Sequence, residues 1–444
     1  MTPDAAAAGA RVSAFRGEVL HFLRDPGDAA EPAGGFEYFA DGVLVVRDGL
    51  VAEVGPALDV LARLPARTPV VDRSGKLLLP GFVDCHIHYP QTDVIASYGE
   101  QLLEWLEKYT YPAERAFADA AHAGEAAQFF LDELARNGTT TALVLGTVHP
   151  QSVEAFFSAA RARGMRMIAG KCLMDRNCPE SLRDTAERGY AESRALIERW
   201  HGRDRLLYAI TPRFAASSTE AQLARAGALA AEVPDVFVHS HLAENRAEVA
   251  WVRELFPWAR SYLDVYVRHG LVRPRSVFAH CLHLDEEDRA LMGERGALAA
   301  FCPTSNLFLG SGLFDLRAAD RAGIAVGIAT DVGGGTSFSM LRTLAEAYKV
   351  AQLTGQPLSA HRAFYLATLG GARGLGLDER IGSFAPGREA DFVVLDPAAT
   401  PLAARRIACA PSLAERLFAL MMLGDDRFVA ETYVLGRRAH ARPA

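Results

Sequence analysis

Two histidines one residue apart, His86 and His88, close the apolar run Leu79-Pro80-Gly81-Phe82-Val83-Asp84-Cys85. In an extended strand the side chains at i and i+2 point the same way, so the two imidazoles share a face. Nitrogen donors held side by side at the end of a buried strand suit a divalent metal ion. Later apolar runs also end in polar residues: Ser240-His241 with Glu244 three positions on, His280, and Thr330-Asp331. His86, His88, His241 and Asp331 would supply three nitrogens and one oxygen and leave room for water. That is an open set, unlike the closed Cys-rich shells of structural sites. Zinc suits these donors, and iron(II) accepts the same ones. Such an ion lowers the pKa of its water from about 15.7 to about 7, so the expected chemistry is hydrolysis at neutral pH. Asp331 can help to remove the proton of that water, and His280 can orient and stabilise the hydroxide. Glu244, one helical turn past His241, is placed to move protons to a leaving group.

These residues need elements that bring them to one place. Eight apolar runs read as strands: Phe82–Cys85, Thr140–Leu145, Met165–Ala169, Leu206–Ile210, Val236–His239, Ser276–Ala279, Ala297–Phe301 and Ala325–Ala329. Helical patterns such as Ala123–Asn137 and Ser217–Ala231 lie between them. Strand and helix in alternation predict an α/β fold of parallel units closing into a TIM-like (β/α)8 barrel. The interval from His86 to Asp331 is close to the roughly 250 residues typical of such a barrel. An open doubly wound sheet is the rival, but no G-x-G-x-x-G follows an early strand. In a barrel, all of the polar strand ends converge on one mouth.

The chain ends have another texture. Val43–Val46, Asp48-Gly49 and Leu50–Val54 form a hairpin signal. Ala390–Leu395 and Thr432–Leu435 repeat that texture after the turn residues Pro386-Gly387, with a helical stretch between them. A small β domain built from both chain ends is expected. The divisions are 1–76 and 383–444 for this domain, and 77–382 for the catalytic barrel.

Arg213, after strand four, carries a permanently charged, rigid donor fork. It suits a carbonyl oxygen or a heterocycle edge, or it pairs with an acid on the barrel rim. His239 makes a second His-x-His with His241 and reads as structural, as does His283 in a loop. Gly333-Gly334-Gly335 permits close backbone approach to a ligand, or forms a plain loop.

Composition narrows the function further. The net charge of −7 leaves no basic excess for a nucleic-acid surface. Half of the residues are hydrophobic, yet no window approaches a membrane span. The alanine run Ala5–Ala8 lacks the basic flank of a secretory signal. Six cysteines without CxxC spacing read as reduced thiols in a cytoplasmic protein.

The opening Pro-Gly-Phe-Val-Asp-x-His-x-His, the later single histidines, the closing Asp331 and the Gly387-Arg388-Glu389-Ala390-Asp391 segment resemble the amidohydrolase superfamily. Within it the chain is similar to the guanine deaminases. That likeness is carried by His86-Ile87-His88-Tyr89-Pro90-Gln91, Leu103-Glu104-Trp105-Leu106-Glu107-Lys108-Tyr109-Thr110-Tyr111-Pro112-Ala113-Glu114 and Gly170-Lys171-Cys172-Leu173-Met174-Asp175. Pro212-Arg213-Phe214, Cys302-Pro303-Thr304-Ser305-Asn306 and Thr330–Gly335 add to it. The resemblance implies hydrolysis of guanine to xanthine and ammonia, by attack of metal-bound hydroxide on the amino-bearing carbon. It implies one Zn2+ per subunit (Fe2+ as the alternative) and a homodimer. Gln91, Arg213 and Phe214 would hold the purine, Arg213 on its carbonyl oxygen and Phe214 near the ring. His88, His241, Glu244 and Asp331 would complete the substrate site, and Glu244 would protonate a ring nitrogen and then assist ammonia departure. In relatives of this barrel a carboxylated lysine at the end of strand four bridges two metals. Here that position offers Arg213, while Lys171 ends strand three, so one metal is expected.

Two rivals remain at this level. A sister hydrolase for triazine or cytosine-like rings would use the same metal core, and only Gln91, Arg213 and the Trp105 segment argue against it. A non-catalytic assembly protein on the same barrel would lack ligands that this chain has.

Overall fold

The computed structural model describes residues 12–443; the alanine run Ala5–Ala8 lies outside them. Eight parallel strands follow one another around a barrel that is nearly closed: Phe82–His88, Thr139–Leu145, Arg166–Gly170, Leu207–Pro212, Phe237–Leu242, Ser276–His280, Leu298–Phe301 and Ala325–Ile328. All eight expected strands are present, with ends shifted by a few residues. A two-residue strand, Cys172–Leu173, was not expected and pairs beside Leu207–Pro212. The predicted helices run from Ala120 to Arg136 and from Glu220 to Glu232. Asp119 and Thr219 cap them by accepting backbone N–H groups.

The barrel interior is filled by one or two apolar residues from each of seven strands. Val83, Cys85, Leu143, Ile168, Ala209, Phe237, Val277, Ala279, Leu298 and Ala300 pack together. On the fifth strand the period of two carries this inward face from Phe237 to His239 and His241. On the first strand, alternation alone would set His86 and His88 opposite Val83 and Cys85. The ladder to Thr139–Leu145 shifts register between Asp84 and Ile87, and this bulge re-aims both histidines. The barrel closes through hydrogen bonds from Asp331 N to His86 O at 3.0 Å and from His88 N to Val332 O at 2.8 Å. Asp84, fully buried, receives the Thr330 hydroxyl and the Thr330 N–H at 3.1 Å.

A second sheet of seven strands joins the two chain ends in the order Arg437–Ala441, Val429–Val434, Phe392–Leu395, Val70–Pro80, Val12–Phe22, Phe36–Arg47, Leu50–Pro56. The expected hairpin is there, with Arg47 opposite Leu50. Its strands are longer than the short runs expected, because apolar and polar residues mix along Val12–Phe22 and Phe36–Arg47 rather than alternate. Helices Pro401–Ala408 and Leu413–Leu423 form the stretch between the C-terminal strands.

The two sheets are tied at the N-terminal ends of the barrel strands by a buried ion cluster. Glu389 accepts from Arg166 Nε at 2.7 Å and Arg205 Nε at 3.0 Å, and Arg205 also pairs with Asp391. Burial would raise the Glu389 pKa, but Arg166 and Arg205 outweigh it and hold the carboxyl below its ordinary value. Removing one member of such a cluster leaves buried charge uncompensated and costs about 3–5 kcal/mol. Glu389→Gln should therefore lower the thermal unfolding temperature markedly near pH 7. A group with a depressed folded pKa contributes fully above its unfolded value, about 4.3. The gap between wild type and variant should thus begin to shrink as pH falls below that value and close as pH falls through the lower folded value, and a pH-independent gap would refute the electrostatic account.

Candidate active site

At the C-terminal ends of the strands the polar residues converge, and most of them are buried. His86 Nε2 lies 3.1 Å from His88 Nε2, which lies 3.1 Å from His241 Nε2. Asp331 Oδ1 is 3.1 Å from His86 Nε2 and 3.4 Å from His88 Nε2. Burial, against the pull of Asp331, lowers the His86 pKa to about 4; it lowers His88 as well and takes His241 far below the usual value. Burial would raise Asp331, but His86 and His88 overcome it and hold the carboxyl well down. Neutral imidazoles and an ionised carboxylate are the ligating forms.

This donor set fits a divalent ion. His241 Nδ1 lies 2.6 Å from Arg213 O, a carbonyl that can only accept, so Nδ1 carries the proton and Nε2 is a bare lone pair. A tetrahedron with bonds near 2.0–2.1 Å has donor–donor edges of about 3.3–3.4 Å, close to the spacing seen. Among the described residues, mutually close donor groups are His86 with His88 and Asp331, His86 with His241 and His280, and His280 with Cys302 and Asp331. The expected quartet is thus linked through His86 and His88, with His280 as a fifth neighbour. Burial keeps Cys302 a thiol, which is a poor ligand.

His239, read from sequence as structural, sits directly beneath the cluster. Its Nε2 lies 2.6 Å from His86 Nδ1. For His86 to present Nε2 to an ion, Nδ1 must donate to His239, in the place usually taken by a carboxylate or carbonyl. His283 is a loop residue whose ring lies 3.0 Å from Ser311 O. Lys171 is fully buried in an ion pair with Asp184 and lies 3.3 Å from Glu192.

Glu244 lies close to His280, but not by way of a helical turn. The helix Arg246–Leu255 begins only after its cap Asn245, and left-handed backbone at Ala243, φ 50°, swings Glu244 inward. Ser311 Oγ donates to Glu244 Oε1 at 2.9 Å, and Glu244 Oε2 faces His280 Nε2 at 3.3 Å. Burial, with Asp331 and Glu248 adding to it, pushes the Glu244 pKa up to about 7. Burial would lower His280, but Glu244 and Asp331 outweigh it and raise the pKa. His280 Nδ1 lies 2.8 Å from Asn306 Oδ1, so Nε2 is the nitrogen that titrates against Glu244. His280 and Asp331 both adopt positive φ, 72° and 51°. Such strained backbone in non-glycine residues collects at functional sites.

A cavity opens onto these groups. Gln91, Arg213 and Phe214 line it together with His88, His241, Glu244, His280 and Asp331, and Leu102, Trp105 and Leu106 contribute apolar wall. Arg213, only 2% exposed, pairs with Glu114, so the acid partner considered from sequence exists but is deeply buried. Gly334 lines the cavity, whereas Gly333 and Gly335 serve the loop itself. A Cβ on Gly335 would lie 1.7 Å from Thr330 O, and one on Gly333 2.6 Å from Gln91 O.

Sequence reasoning assigned no site role to Asn306, Ser311 or Glu248. Glu248 accepts from the Glu244 and Asn245 backbone N–H groups, and its Asn-x-x-Glu spacing with Asn245 is a legible capping box. Nothing local marks Ser311.

Residues 77–439 match the model of the amidohydrolase family. The chain is 53% identical over 431 residues to a guanine deaminase of Escherichia coli (strain K12), covering 97% of this chain and 98% of that one. A solved E. coli guanine deaminase superposes with a TM-score of 0.95, covering 97% of this chain and all of the other. A guanine deaminase from C. acetobutylicum, solved with guanine bound in the active site, is 28% identical with a TM-score of 0.86, covering 96% and 99% of the two chains. On family match, identity and fold along nearly its whole length, the chain belongs to the amidohydrolase family, among its guanine deaminases.

Proposed function

We infer that the protein hydrolyses guanine to xanthine and ammonia, forming a C–O bond and breaking the C–N bond at the amino-bearing ring carbon. The observation that carries this reading is a single cavity lined by Gln91, Arg213 and Phe214 on one hand and by Glu244, His280 and Asp331 on the other. Relatives of the chain across nearly its whole length are guanine deaminases, one of them solved with guanine in its active site.

His86, His88, His241 and Asp331 would hold the metal ion. When bound, the ion supplies the Lewis acidity that makes water nucleophilic at neutral pH. Zinc is the ion proposed, with iron(II) acceptable to the same nitrogen and oxygen donors. Arg213 donates to the purine carbonyl oxygen, Gln91 meets the polar edge of the ring, and Phe214 packs against its face. Glu244, with a pKa raised to about 7, both gives and takes a proton near neutrality. It protonates a ring nitrogen as the carbon becomes tetrahedral and recovers the proton that the new hydroxyl loses as the carbonyl forms, while the departing amine takes the proton that Asp331 received from water. Asp331 accepts the proton of the attacking water, and His280 holds the nucleophile in line.

We further propose a cytoplasmic homodimer. Five cysteines are buried free thiols and Cys409 is an exposed one, in keeping with a reducing compartment. No helix among the described residues is long and apolar enough to cross a membrane. Native mass spectrometry of purified protein should give twice the mass of the chain.

Purified protein should release xanthine and ammonia from guanine and carry one metal ion per chain. Chelation should abolish turnover, and re-addition of zinc or iron(II) should identify the working ion. Bound metal with no guanine turnover would redirect the reading to triazine or cytosine-like rings. Glu244→Gln should keep metal and substrate binding yet lose about 10²- to 10⁴-fold in kcat; retained kcat removes Glu244 from the proton path. Arg213→Ala should raise KM for guanine and leave metal content intact, whereas loss of metal would show that the assigned roles are wrong.

A further inference from the structure

Arg213 and Gln91 reach the cavity, but neither is held there by its own backbone alone. Behind both lies Glu114, on the short helix Tyr111–Arg115, with no exposed surface. Both of its oxygens lie 2.8 Å from Arg213 Nη1, and Oε1 also receives Gln91 Nε2 at 3.3 Å. One carboxylate therefore touches both polar side chains assigned to the purine, while standing off the cavity wall itself. Tyr111 brackets the guanidinium from the ring side, 5.6 Å from its centroid.

A buried carboxylate needs compensation, and Arg213 supplies it through Nη1. The other donors of the fork stay outside this ion pair. The pair carries no net charge, so those N–H groups suit a neutral ring carbonyl rather than an anion. A free guanidinium in the same wall would favour anionic ligands instead.

We propose that Glu114 is a positioning residue that aims Arg213 and Gln91 at the purine 6-oxygen and thereby sets selectivity for an oxopurine. This rests on the reading that Arg213 meets that oxygen. The test uses metal-loaded protein and two competitive inhibitors, hypoxanthine, which keeps the 6-oxygen, and unsubstituted purine, which lacks it. Glu114→Gln, similar in shape, should weaken hypoxanthine by about 10- to 100-fold, the range of a charged hydrogen bond. Purine should change by less than about threefold, with metal content unchanged. Arg213→Met should show the same selective loss, and the double variant no further loss.

Equal weakening of both inhibitors by Glu114→Gln, or no change in either, overturns the proposal. If Arg213→Met fails to discriminate between the two rings, the 6-oxygen reading of Arg213 falls, whatever Glu114→Gln does. Should Glu114→Gln not fold, Glu114→Asp keeps the charge but retracts it by one methylene. It should weaken hypoxanthine alone, and parallel weakening of both rings sinks the idea equally.

Discussion

Closure of the barrel between its first and last strands is the constraint on which the site depends. Backbone hydrogen bonds from Asp331 to His86 and from His88 to Val332 bring the two ends into register. Without that seam, the two histidines of strand one and the aspartate beyond strand eight would be far apart in space as well as in sequence. Asp84 reinforces the seam from below by holding Thr330. Burial pushes its pKa up to about 7 against the hydrogen bonds that oppose it. The strain at Asp331 and His280 is borne by this over-determined frame.

Five side chains of the site are each held by another group. His241 donates to the Arg213 carbonyl, His86 lies on His239, His280 on Asn306, Glu244 on Ser311, and Arg213 on Glu114. These contacts select tautomers and rotamers before any ligand arrives, which is the preorganisation that electrostatic catalysis requires. Burial does the rest by keeping the imidazoles of His86, His88 and His241 neutral and the Glu244 proton available near neutrality. The same low-dielectric surroundings make an unpaired polar group costly. That explains why Arg213 carries a carboxylate partner and why Lys171 does too.

Period-two and strand–helix reasoning found every barrel strand, because buried parallel strands are short continuous apolar runs bounded by polar ends. Those polar ends exposed the site: His86, His88, Arg213, His241, His280 and Asp331 all follow or close such runs. The route by which Glu244 reaches its neighbours was misjudged, since a turn of helix and a left-handed loop residue give the same sequence spacing. His239 was read as structural because an inward histidine one layer below a ligand looks the same in sequence as one packed in the core.

The sequence by itself determined the alternation of strands and helices, the chemical identity of the donors and their placement at strand ends, because these follow from local periodicity and side-chain chemistry. The tertiary structure alone decided which donors meet. The bulge at Asp84–Ile87 turned two histidines inward, the barrel seam set Asp331 beside them, and a distant helix put Glu114 behind Arg213. Those outcomes depend on ladder register and on contacts across 99 to 246 positions of chain, which no local pattern encodes.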